Sequence, residues 1–315
     1  MNEGVLAVDL GGTNLRMAAV ADDGAILHLT RRFTPKSVTP VELISLAGEM
    51  ADECIEQIGA DTRLLGIAFA APAPAAKDSD GILTRLPNIP TLNGMNLKAA
   101  LRDRFSFPVT VENDARAAAI GEHWLGASKD TDTSVIVTLG TGVGGGIIID
   151  GEPYRGVDGT AGEIGHFCVL PDGHPCGCGS RGCVEQYASA TAIVRMAREN
   201  GLDVSTSLDV YRAFENGDER AAIVFRQMGT YLGIVLAGLV NTLNPDMIVI
   251  AGGASAAWEA FIKPLKDEIH LRAFHAPSTR VKIARTQLGD NAGILGAARS
   301  AFLHTEYPAV SDHSG

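Results

Sequence analysis

Positive charge, aromatic side chains and long apolar runs are all scarce in this chain of 315 residues. There are 26 Lys and Arg residues against 37 Asp and Glu residues, giving a net charge of −11 that disfavours binding to nucleic acid or to anionic membranes. The apolar stretch 231–243 is shorter than the roughly 20 residues of a membrane span. The first residues lack the basic segment of a secretion signal. We therefore expect a cytoplasmic protein that binds neither nucleic acid nor membrane.

Cysteine is also scarce, but four of the five cysteines crowd into the segment 168–183. In a reducing compartment such crowding favours a metal over disulfides. The candidate ligands are His166, Cys176, Cys178 and Cys183, a complete Cys₃His set for tetrahedral Zn²⁺. Four protein ligands leave no open position, so the zinc would be structural. The alternative is a group of free buried thiols, and we expect the remaining cysteines, Cys54 and Cys168, to be core residues.

The order of apolar and glycine-rich segments predicts an internally duplicated α/β protein. A strand, a glycine turn and a second strand occur at 5–8 and 15–20, and again at 134–139 and 147–149. Further strands are predicted at 64–70, 109–111 and 247–251, and helices at 41–58, 97–105, 115–124, 221–242 and 292–304. In folds of this kind ligands gather at strand ends.

The first glycine turn, Asp9-Leu10-Gly11-Gly12-Thr13, has the composition of a phosphate site. Consecutive glycines let backbone N–H groups approach an anion, and the Thr13 hydroxyl adds a donor. Asp9, at the strand end, could hold a hydrated Mg²⁺ beside phosphates. The alternative is a plain hairpin turn with an exposed Asp.

The second glycine turn, residues 140–146, matches G-x-G-x-x-G formally. That dinucleotide motif requires a following helix, whereas a strand follows here, so a Rossmann site is excluded. The turn remains a candidate phosphate cradle with Thr141 as an extra donor. Gly252-Gly253, directly after the strand 247–251, would let the backbone approach adenine or ribose, unless it is an ordinary strand-to-helix turn.

Three carboxylates are candidates for contacts with a hydroxylated substrate. Asp114 lies where a strand gives way to a helix, so it is either a general base beside Asn113 or simply the helix N-cap. Glu163 and Glu185 flank the candidate zinc ligands and could grip vicinal hydroxyls of a sugar, although isolated glutamates are usually surface residues.

Taken together, these segments resemble the ROK family (repressor, open reading frame, kinase), and in particular its sugar kinases. The resemblance rests on two motifs, E-x-G-H at residues 163–166 and C-G-C-G-x-x-G-C-x-E at residues 176–185. It extends to the segments 9–13, 112–122, 139–146 and 288–298. It implies an actin-like (hexokinase/Hsp70) α/β fold with two RNase H-like domains around a cleft, in a homodimer or homotetramer. One domain would comprise 1–115 and 292–315, and the other 116–291 with a zinc loop at 166–183.

The resemblance also implies a role for each motif. Asp114 would be the catalytic base toward the 6-hydroxyl of D-glucose, with ATP as donor and Mg²⁺ as cofactor. Asn113, Glu163, His166 and Glu185 would bind sugar hydroxyls, His166 being shared with zinc. The ATP phosphates would be held by Asp9, Gly11, Gly12, Thr13, Asn14, Gly140, Thr141, Gly142, Gly144 and Gly145, and the adenosine by Gly252 and Gly253.

Two departures from the family pattern leave the sugar open. Residues 70–74 read Ala-Ala-Pro-Ala-Pro in place of a glycine-rich turn, and 87–92 read Pro-Asn-Ile-Pro-Thr-Leu without the family's Trp. N-acetylmannosamine, fructose, allose and mannose are therefore alternative substrates, and polyphosphate is an alternative donor. A sugar-responsive repressor is disfavoured, because only eight residues precede Asp9 and the chain is acidic.

Overall fold

The computed structural model describes residues 2–12, 14–72, 81–83, 86 and 89–306. For residues 305 and 306 it describes only the backbone. The described residues form two compact units. Unit one comprises Met1–Leu125, Arg155–Ala161 and Asn291–Gly315, and unit two comprises Gly126–Tyr154 and Gly162–Asp290.

Unit one is a five-stranded mixed sheet with helices packed on it. Its strands are β1 (Asn2–Leu10), β2 (Asn14–Ala21), β3 (Ile26–Phe33), β4 (Thr62–Ala71) and β5 (Val109–Asn113), in the order β3-β2-β1-β4-β5. Its helices are α1 (Pro40–Ile58), α2 (Leu97–Arg104), α3 (Asp114–Leu125) and α10 (Ala292–Glu306). Strand β1 is antiparallel to β2 and parallel to β4, so its carboxyl end lies beside that of β4. Asp9 therefore lies at a sheet edge where ligands collect in α/β folds.

Local sequence explains where the elements of unit one begin. Thr39 caps α1 in a capping box with Glu42, and Pro40 occupies the first helical position, where its missing N–H costs nothing. The predicted domain boundary at residue 115 lies inside α3. The first segment of unit one instead ends after Leu125, because α3 packs along α10 of the same unit.

Unit two repeats this architecture. Its strands are β6 (Ser134–Leu139), β7 (Val143–Ile149), β8 (Glu152–Pro153), β9 (Met247–Ala251) and β10 (Lys282–Arg285), in the order β10-β9-β6-β7-β8. Its helices are α4 (Glu185–Ala188), α5 (Ala190–Glu199), α6 (Ser207–Glu215), α7 (Glu219–Leu243), α8 (Trp258–Arg272) and α9 (His275–Arg280). In each sheet the first strand is central, antiparallel to the second and parallel to the fourth, which confirms the predicted duplication.

Helix α7 forms much of the core of unit two. It is the one described helix long and apolar enough to cross a membrane by length and composition, but 61% of its most apolar window is buried inside the protein. Buried side chains such as Phe225, Met228 and Leu232 pack there against apolar residues of β6 and α8. Its apolar surface is thus used for packing, as the core helix of a globular unit requires.

Candidate active site

In unit one, Asn113 and Asp114 lie at the junction of β5 and α3. The Asn113 side-chain oxygen accepts a hydrogen bond from the N–H of Arg116 at 3.0 Å, so Asn113 performs the capping that was one interpretation of Asp114. Asp114 is the first helical residue, and its carboxylate accepts a hydrogen bond from the N–H of Ala115 at 2.7 Å. The partly exposed carboxylate therefore lies at the positive end of the helix dipole, which stabilises its charged form.

A buried ion cluster, missed by the sequence analysis, lies directly beside this pair. Glu112 is 1% exposed and accepts hydrogen bonds at 2.6 Å from Arg116 Nε and from Arg155 Nη1. It also accepts a hydrogen bond from the N–H of Asn113 at 3.0 Å. Arg116 in turn donates to the carbonyl of Gly159 at 2.8 Å. The cluster thus fixes the backbone on both sides of Asp114 and ties the segment Arg155–Ala161 to unit one.

We expect Arg116→Met to lower the free energy of unfolding by about 3–5 kcal/mol, because the change leaves the buried Glu112 carboxylate with only one guanidinium partner. Chemical denaturation of both proteins measures the difference. The matched control is Arg63→Met in the exposed Arg63–Glu3 pair, for which we expect a change below about 1 kcal/mol. Equal effects of the two substitutions would contradict a structural role for the cluster.

The first glycine turn joins β1 to β2. The N–H of Gly11 donates to the carbonyl of Asn14 at 2.9 Å, which closes the turn, while Thr13 lies outside the described residues. Asp9 is paired across the sheet with Arg16, whose guanidinium is 3.9 Å from its carboxylate. Sequence analysis missed this contact, although counting back from the turn places Arg16 opposite Asp9. The carboxylate proposed for Mg²⁺ is thus partly neutralised.

The second glycine turn, in unit two, is shorter than predicted. Strand β7 already begins at Val143, so Gly144 and Gly145 lie in the strand, paired with Thr138 and Val137. The carbonyls of Gly140 and Thr141 accept hydrogen bonds from the Ala190 N–H at 2.8 Å and the Thr191 hydroxyl at 2.9 Å. Among the described residues the N–H groups of Thr141 and Gly142 have no hydrogen-bond partner, so they are available to bind an anion.

Gly252 and Gly253 follow β9 directly. Gly252 has a φ of 83°, and a Cβ there would lie 2.5 Å from the carbonyl oxygen of Leu139, so a larger residue would push β9 away from the end of β6. A short 3₁₀ helix, Gly253–Ala257, begins here and leads into α8, so the pair lies at a strand-to-helix turn, as one interpretation of the sequence held. Beside Gly253 lies a small, partly open apolar hollow, whose lining includes Ile193, Leu208, Tyr211 and Phe225.

The four predicted zinc ligands lie together in unit two. Their ligand atoms are all within 4.8 Å of one another, with Cys176 Sγ 3.6 Å from His166 Nδ1 and Cys178 Sγ 3.7 Å from Cys183 Sγ. Tetrahedral zinc with bonds of about 2.3 Å would place two sulfurs about 3.8 Å apart, so the donor set fits the metal. Cys168 is exposed, so its predicted place in the core is wrong, because it lies in the loop between His166 and Cys176. Cys54 is buried as expected.

The thiols of this cluster differ in their readiness to ionise. Burial raises the pKa of Cys176 and raises that of Cys183 to about 12. A hydrogen bond from the N–H of Ser180 lowers the pKa of Cys178. Three thiolates in so small a volume would repel one another, so a bound metal cation would be needed to hold them ionised.

The candidate sugar residues of unit two surround this cluster. Glu163 is exposed, and its carboxylate lies 3.8 Å from His166 Nε2, the ring nitrogen that faces away from the sulfurs. Glu185 begins α4, and its carboxylate accepts a hydrogen bond from the N–H of Val143 at 3.1 Å. The sequence did not predict this link to the second glycine turn. The departures at 73–74 and 87–88 lie outside the described residues.

Comparisons with known proteins agree with this arrangement. The ROK family model matches residues 5–302. A glucokinase of Halalkalibacterium halodurans is 36% identical over 92% of each chain, and the xylose repressor of Bacillus subtilis is 31% identical over 76% of this chain and 62% of the repressor.

A solved structure extends these matches to the fold. The crystal structure of a ROK family glucokinase from Streptomyces griseus in complex with glucose and AMPPNP has a TM-score of 0.80 and 30% identity, covering 95% of this chain and 99% of that one. The expected actin-like α/β fold is thereby confirmed. The chain belongs to the ROK family.

Proposed function

We propose that the protein is an ATP-dependent hexokinase that converts D-glucose to glucose 6-phosphate. The observation that carries the proposal is likeness along almost the whole chain to curated glucokinases and to a relative crystallised with glucose and AMPPNP. The two units separately hold the side chains that such a reaction requires. The experiment below tests glucose against related sugars.

Unit one would supply the general base. Asp114 accepts the proton of the glucose 6-hydroxyl while O6 forms a bond to the γ-phosphorus of ATP and the bond to the β,γ-bridging oxygen breaks, so that ADP leaves. Asn113 and the Glu112 cluster hold this carboxylate on a fixed backbone. Asp9 would hold hydrated Mg²⁺, which neutralises charge on the ATP phosphates when bound.

Unit two would hold the ends of both substrates. The N–H groups of Thr141 and Gly142 are available to the ATP phosphates, and Gly252 and Gly253 would let the backbone approach the adenosine. Glu163, His166 and Glu185 would accept hydrogen bonds from sugar hydroxyls. A structural Zn²⁺ on His166, Cys176, Cys178 and Cys183 would fix the loops that carry them.

The sugar is tested by measuring ADP release with a panel of acceptors. With Mg·ATP we expect glucose to give the highest kcat/KM, and N-acetylmannosamine, fructose, allose and mannose to give lower values. One missing or displaced hydrogen bond to a carboxylate of the sugar site costs about 10-fold, which corresponds to about 1.4 kcal/mol. A better acceptor than glucose would reassign the substrate, and binding of sugars without ADP release would favour the repressor alternative.

The donor is tested by measuring glucose 6-phosphate itself, because polyphosphate releases no ADP. Polyphosphate in place of ATP should support little turnover, because it lacks the adenosine that Gly252 and Gly253 would bind. We further propose that the enzyme works in the cytoplasm, where thiolate ligands stay reduced, as a homodimer or homotetramer.

A further inference from the structure

One side chain, Glu185, joins the candidate sugar site, the candidate metal centre and the second glycine turn within unit two. It lies two residues after Cys183, the last metal ligand in the sequence. One carboxylate oxygen accepts the hydrogen bond from the Val143 N–H, while the other is 3.8 Å from Cys176 Sγ. A residue that only binds sugar would not need the hydrogen bond from the Val143 N–H.

The turn itself is shaped around this carboxylate. A Cβ on Gly142 would lie only 2.4 Å from Glu185 Oε2, so an alanine at this position would displace the carboxylate. The other hydrogen bonds to the turn come from Ala190 and Thr191, which lie five and six residues after Glu185 in the chain. The position of the two unpaired N–H groups, those of Thr141 and Gly142, therefore depends on where the Glu185 carboxylate lies.

We propose that Glu185 is a positioning residue for the nucleotide phosphates as well as a sugar contact, and that it couples the binding of the two substrates. This rests on the proposed function. A sugar hydroxyl that donates to Glu185 restricts the rotamers of its side chain, and the restricted carboxylate holds Val143 and Gly142 in the arrangement that phosphate requires. The second ligand then meets a turn that is already ordered, so it binds more tightly.

The coupling is measured by isothermal titration of AMPPNP with Mg²⁺ into the metal-loaded protein, with and without saturating glucose. We expect glucose to tighten AMPPNP binding about 5- to 150-fold, and AMPPNP to tighten glucose binding by the same factor, because binding couplings are reciprocal. Glu185→Ala and Gly142→Ala should each bring this factor close to one. Metal content, measured on the same samples, shows whether the cluster is retained.

The matched control is Glu163→Gln, which alters another candidate sugar contact without a described bond to the turn. It should weaken glucose binding yet retain the coupling factor. If Glu185→Ala loses its metal, Gly142→Ala decides, because that glycine is not a metal ligand. Any direct effect of the substitution on phosphate binding is present with and without glucose and so cancels in the coupling factor.

Two results would overturn the proposal. One is a wild-type coupling factor of one, and the other is an unchanged factor in Gly142→Ala. Titration requires no phosphoryl transfer, so the two claims can be separated. ADP release with glucose but no coupling would refute this inference and leave the proposed function intact. Failure to bind any sugar of the panel would refute both the inference and the proposed function.

Discussion

Replacing Asp114 with Asn is expected to lower kcat by about 10²–10⁴-fold, the usual contribution of a general base. The amide keeps the size of the side chain and can accept the hydrogen bond that the Ala115 N–H donates to the carboxylate. It cannot take the proton of the sugar hydroxyl. Glucose binding should therefore remain close to that of the wild type, because the lost interaction belongs to the transition state.

Steady-state kinetics and glucose titration of the same variant separate these two effects. Asp103→Asn is the matched control, since Asp103 is an exposed carboxylate on α2 of the same unit, and we expect it to leave kcat unchanged. Turnover of Asp114→Asn within a factor of ten of the wild type would show that another group takes the proton.

Cys178→Ser has the second large expected effect, the joint loss of bound zinc and of kinase activity. A hydroxyl is a far weaker zinc ligand than a thiolate, and the remaining three donors would not keep the loops 163–185 in place. Because Glu163, His166 and Glu185 lie on those loops, the affinity for glucose should fall together with the metal content.

Elemental analysis and glucose titration of the purified variant measure both quantities. Cys168→Ser is the control, because Cys168 is exposed and outside the ligand set, so its metal and activity should be retained. Full activity in protein stripped of metal would show that the cluster does not organise the sugar site.

The sequence predicted those parts of the protein that depend on short spacings. The zinc ligands all lie within the one segment 166–183, so the sequence alone identified a set that the fold brings within 4.8 Å. The strand β9 and the helices α1 and α7 were predicted to within two residues at each end, because their apolar periodicity is strong. Duplication was visible from the two glycine turns.

What the sequence could not predict arises from contacts between distant residues. Glu112 and Arg155 are 43 residues apart, and Glu185 and Val143 are 42 apart, so only the fold reveals these hydrogen bonds. Strand β3 was missed because this edge strand mixes exposed Leu27 and Leu29 with polar residues. The strand pairing of Gly144 and Gly145 was hidden because glycines suggest a turn.

The most direct test of the central claim is ³¹P NMR of the product formed from Mg·ATP and glucose labelled with ¹⁸O at O6. If O6 attacks the γ-phosphorus, the product is glucose 6-phosphate whose bridging oxygen carries the label, which shifts its phosphorus resonance upfield. A phosphate ester at another hydroxyl, an ester without the label, or the absence of any sugar phosphate would contradict the account.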